Sequence, residues 1–411
     1  MTTAETISTR CCVVGGGPAG MMLGLLLARA GIDVVVLEKH ADFLRDFRGD
    51  TIHPSTLELM HELGWLDAFL ELPHQEVSVL TAQIGGTSVP VADFTHLPTR
   101  CKFIAFLPQW DFLNFLAERA ARYPSFTLRM RAEVTELMRD AAGRIVGVCA
   151  TTADGPLAVR AELVVGADGR HSTVRAQASL PVETLGAPMD VLWFRLSRRP
   201  GDPEQTMGRF DIGRIFISIN RGEHWQCGFV IPKDSAAEVR ARGLPAFRTA
   251  VAELAPFAAN RVQDELRTWD DVKLLTVGVD RLLRWHLRGL LCIGDAAHTM
   301  SPIGGVGINL AIQDAVAAAN LLAGPLYDGR LTEDDLARVQ RRREWPTRVT
   351  QRLQVLVQNR IIRRAVAGDG RSTTLVPTLL LRLLARFPVL RRIPARLIGI
   401  GVRPEHVRTP G

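Results

Sequence analysis

CCVVGGGPAGMMLGLLLARAGIDVVVLEK, residues 11–39, decides how the rest of the chain is read. Its first four residues form an apolar run of the kind that makes a buried parallel strand. They lead directly into Gly15, Gly17 and Gly20 in the spacing G-x-G-x-x-G, with Pro18 and Ala19 between the second and third glycines. An apolar helix over residues 21–30 follows and ends at Gly31, and a second apolar run over 34–37 ends at Glu38 and Lys39. This is one complete strand-helix-strand unit of an α/β fold. Gly15 permits a tight turn, Gly17 lets backbone approach a pyrophosphate, and Gly20 lets helix and strand pack closely. The helix N-terminus draws the anion with its unsatisfied N–H groups and its dipole. Glu38 falls about 20 residues past Gly17, the offset of a carboxylate that grips ribose hydroxyls. The unit predicts a dinucleotide site and leaves FAD and NAD(P) both open.

Two later segments decide between them. Residues 163–175, LVVGADGRHSTVR, run from an apolar strand into Ala167, Asp168 and Gly169 and then into a helix start. Residues 290–323 begin with LLCI and reach Gly294 and Asp295. They then pass a loop containing Pro302, Gly304, Gly305, Val306 and Gly307, and enter a long helix near Ile308 and Asn309. An acidic residue at a strand end can hold a ribitol or ribose hydroxyl. A glycine-lined loop entering a helix presents N–H groups and a positive dipole end, which suits the anionic N1 and C2 carbonyl region of a reduced flavin.

In their order and combination the three segments resemble the flavoprotein aromatic hydroxylases, the group that includes para-hydroxybenzoate hydroxylase, over nearly all of residues 10–325. The resemblance implies that Gly15, Gly17, Gly20 and Glu38 bind the ADP half of FAD. It implies that Asp168 and Gly169 serve both FAD and the nicotinamide coenzyme, and that Asp295 contacts the FAD sugar chain. Arg48, in DFRGDTIHPSTLELM, is expected beside the FAD phosphates, and Gln109, in FLPQWDFLNFL, near the isoalloxazine. Pro18, Ala19, Lys39, Gly294, Pro302, Gly305, Val306, Gly307 and Asn309 complete the expected cofactor-binding set. The implied activity is a monooxygenase with noncovalent FAD, NADPH or NADH as transient reductant, and molecular oxygen. It would hydroxylate or epoxidise a small aromatic or apolar substrate through a flavin C4a-hydroperoxide. An oxidase, dehydrogenase or reductase on the same fold is the alternative. Halogenation is disfavoured, because W-x-W-x-I-P is absent. A second G-x-G-x-x-G unit for a nicotinamide is also missing, as is any iron, copper or haem ligand set, so metal is not expected.

At 411 residues the chain is long enough for two intertwined domains. The fold class expected is α/β, a Rossmann-type FAD-binding domain over 1–76, 95–180 and 286–330. A mainly antiparallel β-sheet substrate domain is inserted over 77–94 and 181–285, and a helical C-terminal segment runs over 331–411. β-branched and aromatic runs broken by Gly, Asn and Pro point to that sheet, with Trp193, Phe216, Trp225 and Cys227 as candidate pocket residues. The two tyrosines, Tyr123 and Tyr327, lie outside it, so a tyrosine proton relay is not expected. His53, His224 and His298 lie in or beside the implicated segments, but no catalytic base is assigned.

A content of 47% hydrophobic and 23% charged residues fits a well-packed enzyme. The start MTTAETISTR lacks a signal-peptide pattern, and no apolar run reaches membrane-spanning length, so a cytoplasmic protein without membrane association is expected. The six cysteines are scattered and read as buried thiols. Net charge is +7, yet no nucleic-acid-binding signature accompanies it, and nucleic acid is not an expected partner. The basic, leucine-bearing tail reads as a helical cap on the pocket or on a second copy of the chain in a homodimer.

Overall fold

Apolar runs that bury both faces belong in the middle of a parallel sheet. The computed structural model describes residues 5–44, 51–84, 86–204, 206–211, 213–362, 383–384 and 386–410. It places Leu290–Cys292, Gly155–Gly166, Glu5–Val14, Val34–Glu38 and Phe126–Met130 side by side, each neighbouring pair parallel. The Pro18–Arg29 helix carries the chain from the first strand of the unit to the second, and its apolar residues are buried. An antiparallel excursion, Glu133–Arg139 and Ile145–Thr152, extends from the long Gly155–Gly166 strand.

The Gly307–Tyr327 helix lies against Pro18–Arg29 as a core helix. With the turn before it, the stretch Ile303–Tyr327 is long and apolar enough to cross a membrane, contrary to the sequence reading. Gln313 and Asp314 interrupt its apolar run and so hid its length; here most of it is buried in protein.

A second sheet of seven strands runs in the order Lys273–Leu275, Met189–Ser197, His224–Pro232, Arg214–Asn220, Met207–Asp211, Val79–Ile84, Thr87–Asp93. All its pairs are antiparallel except Met207–Asp211 with Val79–Ile84. Residues from near 80 and from 190–275 therefore share one sheet. Its two faces have different fates. Phe194, Phe216, Trp225 and Cys227 point to one side and pack on Phe247, Val251 and Val262 of the helices Leu244–Leu254 and Ala259–Glu265. Val191, Trp193, Ile215 and Val230 point to the other, where Ile303 and Ile362 meet them.

Beyond the core, Thr332 and Asp335 form a capping box that starts the Glu333–Val357 helix. The leucine-rich tail is described only in part; its last helix is Arg392–Gly399.

Candidate active site

Val14, Glu38, Gly166 and Cys292 lie at the carboxyl ends of four adjacent parallel strands. Ligands of open α/β sheets bind along that edge. The close packing explains two of the glycines. A Cβ on Gly15, whose φ is +106°, would lie 2.4 Å from the Ala167 carbonyl oxygen and 2.7 Å from Asp168 Cα. One on Gly20 would lie 1.9 Å from the Gly15 carbonyl oxygen. Gly17 is different: it caps the Pro18–Arg29 helix with φ −75°, and a Cβ there would meet nothing within 4 Å. Space therefore stands open in front of a helix N-terminus, as a bound diphosphate requires.

Beside that space the Gly16 N–H donates to Glu38 Oε2 at 3.0 Å, and the His40 N–H donates to Oε1 at 3.0 Å. Burial pushes the Glu38 carboxyl up, but hydrogen bonds from the His40 side chain and from the His40 and Gly16 backbone outweigh it and hold the group below its ordinary range. Lys39 is exposed next to it. In the second segment, the Ser172 hydroxyl donates to Asp168 Oδ1 at 2.5 Å and the Val174 N–H to Oδ2 at 3.1 Å. Burial raises the Asp168 carboxyl, and these bonds offset only part of the rise. Gly169 follows in a left-handed conformation.

The third segment is held from several sides. Asp295 lies half-buried in the short turn Gly294–Ala296. Thr51 donates its hydroxyl to the Gly305 carbonyl at 3.0 Å, so close that a Cβ on Gly305 would lie 2.4 Å from Thr51 Oγ1. Asn309 accepts from the His53 N–H at 2.9 Å and the Thr56 hydroxyl at 2.8 Å, and donates to the Thr51 carbonyl at 3.0 Å. Its side chain thus fastens the loop, and the groups left to face a ligand along Pro302, Gly305, Val306 and Gly307 are mainly backbone.

Three buried glutamines complete the support, Gln351 and Gln354 on the Glu333–Val357 helix and Gln358 just past its end. Gln351 donates to the Thr299 carbonyl at 2.9 Å. Gln354 accepts from the Ser301 N–H at 3.1 Å and donates to the Ser301 and Ile303 carbonyls at 3.0 Å each. Gln358 donates to the Ser301 hydroxyl at 2.8 Å. Behind Gly294 lies Asp314, wholly buried, which accepts from the Gly294 N–H at 3.1 Å, His298 Nε2 at 2.6 Å and Arg343 Nε at 2.9 Å. Burial pushes the Asp314 carboxyl up, while His298 and Arg343 hold it below its ordinary range. Arg343 reaches on to Glu405 at 3.3 Å.

A family model described as FAD binding domain matches residues 8–352. The chain belongs to that family. It is 34% identical to the 6-methylpretetramide 4-monooxygenase of Streptomyces rimosus, over 99% of this chain and 96% of the relative. It is 30% identical to a rifampicin monooxygenase of Streptomyces venezuelae, over 74% of this chain and 61% of that protein's greater length. Among solved structures, the OxyS anhydrotetracycline hydroxylase of Streptomyces rimosus superposes with a TM-score of 0.73 at 25% identity, covering 96% of this chain and 76% of the other. This protein is therefore a member of the FAD-dependent aromatic hydroxylases, with their α/β fold.

The residues present fit FAD. The open space at Gly17 suits its diphosphate, Glu38 and Asp295 offer carboxylates at strand ends, and the glycine loop before Gly307–Tyr327 offers N–H groups to an anionic ring edge. Gln109 stands half-buried in the first turn of the helix Gln109–Ala120. Arg48 lies outside the described residues.

Of the four candidate pocket residues, only Trp193 lies on the sheet face that meets Ile303. Phe216, Trp225 and Cys227 belong to the helix-covered core on the other face, because strand residues of opposite parity point to opposite sides. Two of the three histidines hold structure: His298 is bound to Asp314, and His53 Nδ1 is bonded to the Ile398 carbonyl at 2.7 Å. His224 sits on the sheet, its pKa lowered by burial and by Arg195 and Arg221.

The fully buried His53 carries a testable signature. Burial lowers its pKa to about 4, only partly opposed by the bond to the Ile398 carbonyl. The folded state thus keeps the ring neutral while the unfolded chain takes a proton near pH 6.5. Stability is fully present above about pH 6.5 and falls as pH drops towards about 4, by at most about 3 kcal/mol. Urea midpoints measured across that range should fall for the wild type and change less for His53→Gln.

Proposed function

We propose that the protein is an NAD(P)H-consuming monooxygenase that hydroxylates an aromatic substrate held between the seven-stranded sheet and the 302–307 loop. The observation that carries this reading is the apolar face of Val191, Trp193, Ile215 and Val230, which is set against Ile303 of the same loop that presents its backbone to the cofactor. Trp193 packs against Gly228, where a Cβ would lie 3.0 Å from its ring, so this face is made of ring and aliphatic carbon. It suits a planar apolar body better than a small polar one. The full-length likeness to the 6-methylpretetramide enzyme and the fold of the anhydrotetracycline hydroxylase support an aromatic substrate of that kind.

In this reading Gly15, Gly17, Pro18, Ala19, Gly20, Glu38 and Lys39 hold the ADP half of FAD. Asp168, Gly169, Gly294 and Asp295 border its sugar chain, and Pro302, Gly305, Val306 and Gly307 border its ring. Residues 1–76, 95–180 and 286–330 form the flavin unit, and 77–94 with 181–285 the substrate unit. FAD, when bound, supplies the activation of oxygen that no side chain here can provide. The chain's own contribution is position and exclusion. The sheet face shields the reacting atoms from water, and N–H groups at the start of Gly307–Tyr327 face the edge where negative charge gathers. Six free thiols, five of them buried, agree with a reducing cytoplasmic location. The decisive test is turnover of an anhydrotetracycline-type phenol with NAD(P)H under labelled oxygen gas. One labelled atom in the product supports a monooxygenase; label taken from water alone, or equal turnover without air, means a dehydrogenase or reductase.

A further inference from the structure

The Glu333–Val357 helix and the turn Gln358–Ile362 after it, whose glutamines grip the flavin loop, also build a cavity. Val355 and Leu356 form one apolar wall and Leu185 the other, around a volume of about 310 Å³. Arg281, Arg352, Arg360 and Asn359 supply its polar groups, and among the described residues no acidic one lines it. Arg281 is buried. It is paired with Glu183 at 2.5 Å and donates to Gln351 at 3.2 Å, while its Nε is buried without a partner among the described residues.

Guanidinium groups beside aliphatic walls suit one kind of ligand, a planar aromatic ring that carries phosphate. The ring stacks on guanidinium planes and leucine side chains, and the phosphate takes the forked donors. The cavity is also linked to both segments that a reductant must approach. Arg281 lies on the strand Asp280–Leu282, whose Asp280 pairs with Arg175 of the second segment at 3.4 Å. Gln351 joins Arg281 to the carbonyl of Thr299 at the flavin loop. The sequence holds one strand-helix-strand dinucleotide unit, so a second dinucleotide needs another place for its adenosine end.

We propose that this cavity receives the phosphate-bearing adenosine end of the nicotinamide coenzyme, and that the arginines make NADPH the preferred reductant. The proposal rests on the nicotinamide-consuming reading above. Arg352 and Arg360 are exposed rim residues that take part in none of the hydrogen bonds described at the flavin loop, so Arg352→Glu with Arg360→Glu tests it while leaving those bonds in place. Anaerobic rapid mixing of the FAD-loaded protein should show the Kd for NADPH raised about tenfold or more in the double variant, the loss expected of charge-assisted bonds. FAD content, the limiting rate of flavin reduction and the KM of the aromatic substrate should stay as in the wild type. Leu356→Trp, which fills the cavity without changing charge, should weaken NADPH in the same way.

An NADPH affinity unchanged in both variants overturns the site. So does a loss confined to the aromatic substrate, which would make the cavity a substrate pocket. If neither NADPH nor NADH reduces wild-type flavin, the nicotinamide reading itself is wrong. Calorimetry with adenosine 2′,5′-bisphosphate then decides the cavity alone: binding that is lost in the double variant upholds it, and absence of binding overturns it.

Discussion

Gly17→Val is expected to give a folded protein that purifies colourless. The backbone at this position has φ −75°, which any residue adopts, and a Cβ would touch no atom of the chain within 4 Å. The free protein should therefore accept valine at a cost of about 1 kcal/mol or less, the scale of an altered helix cap. The same side chain fills the space through which backbone N–H groups reach a diphosphate, and the contact that anchors the cofactor is lost. An FAD affinity reduced at least about a hundredfold, roughly 3 kcal/mol, is the expected size. Flavin absorbance after purification and the urea midpoint of the stripped protein separate the two effects. A variant with full flavin content would remove Gly17 from the binding site. Gly20→Val is the contrast, since its Cβ would collide with the Gly15 carbonyl and the fold itself should fail.

A large loss of stability in a protein that still folds is expected of Asp314→Asn. Its carboxylate is wholly buried between His298 and Arg343 and also receives the Gly294 N–H. Removing the charge leaves the buried Arg343 without its main partner, a change that costs about 3–5 kcal/mol when one side of a buried pair is deleted. That is a large share of the stability of an ordinary domain. Urea unfolding of the stripped protein measures it directly, and a loss below about 1 kcal/mol would show that solvent reaches the cluster.

How far each feature could be read from the sequence depended on its range. The dinucleotide turn was legible because its constraints are local: Gly15, Gly17 and Gly20 answer to a turn and a helix start within ten residues. The pairing of Gly15 with the Ala167–Asp168 segment was implied only by order, yet the backbone contact confirms that those segments meet. Strand parity was legible too, but which parity faced the flavin loop was not. Trp193 and Trp225 are equally aromatic, and only the helices packed behind Trp225 separate them. No local pattern marks Asp314, since its partner Arg343 lies 29 residues away. The glutamines stand in a basic helix with no local sign of their role, because their partners lie more than 50 residues away.

The groups that clasp the flavin loop are Thr51, Asn309, Gln351, Gln354 and Gln358, and each is a neutral hydroxyl or amide. None of them gains or loses a proton in the range where proteins stay folded. The ionised residues, Asp314, Arg343 and Glu405, stand one layer behind. The clasp's own hydrogen bonds therefore do not depend on pH, and it contributes no net charge to the potential at the ring the loop borders. What the clasp itself can offer to charge gathering there is fixed dipoles. Any pH dependence that the protein adds at that ring therefore has to come from the ionised layer behind the loop and not from the clasp itself.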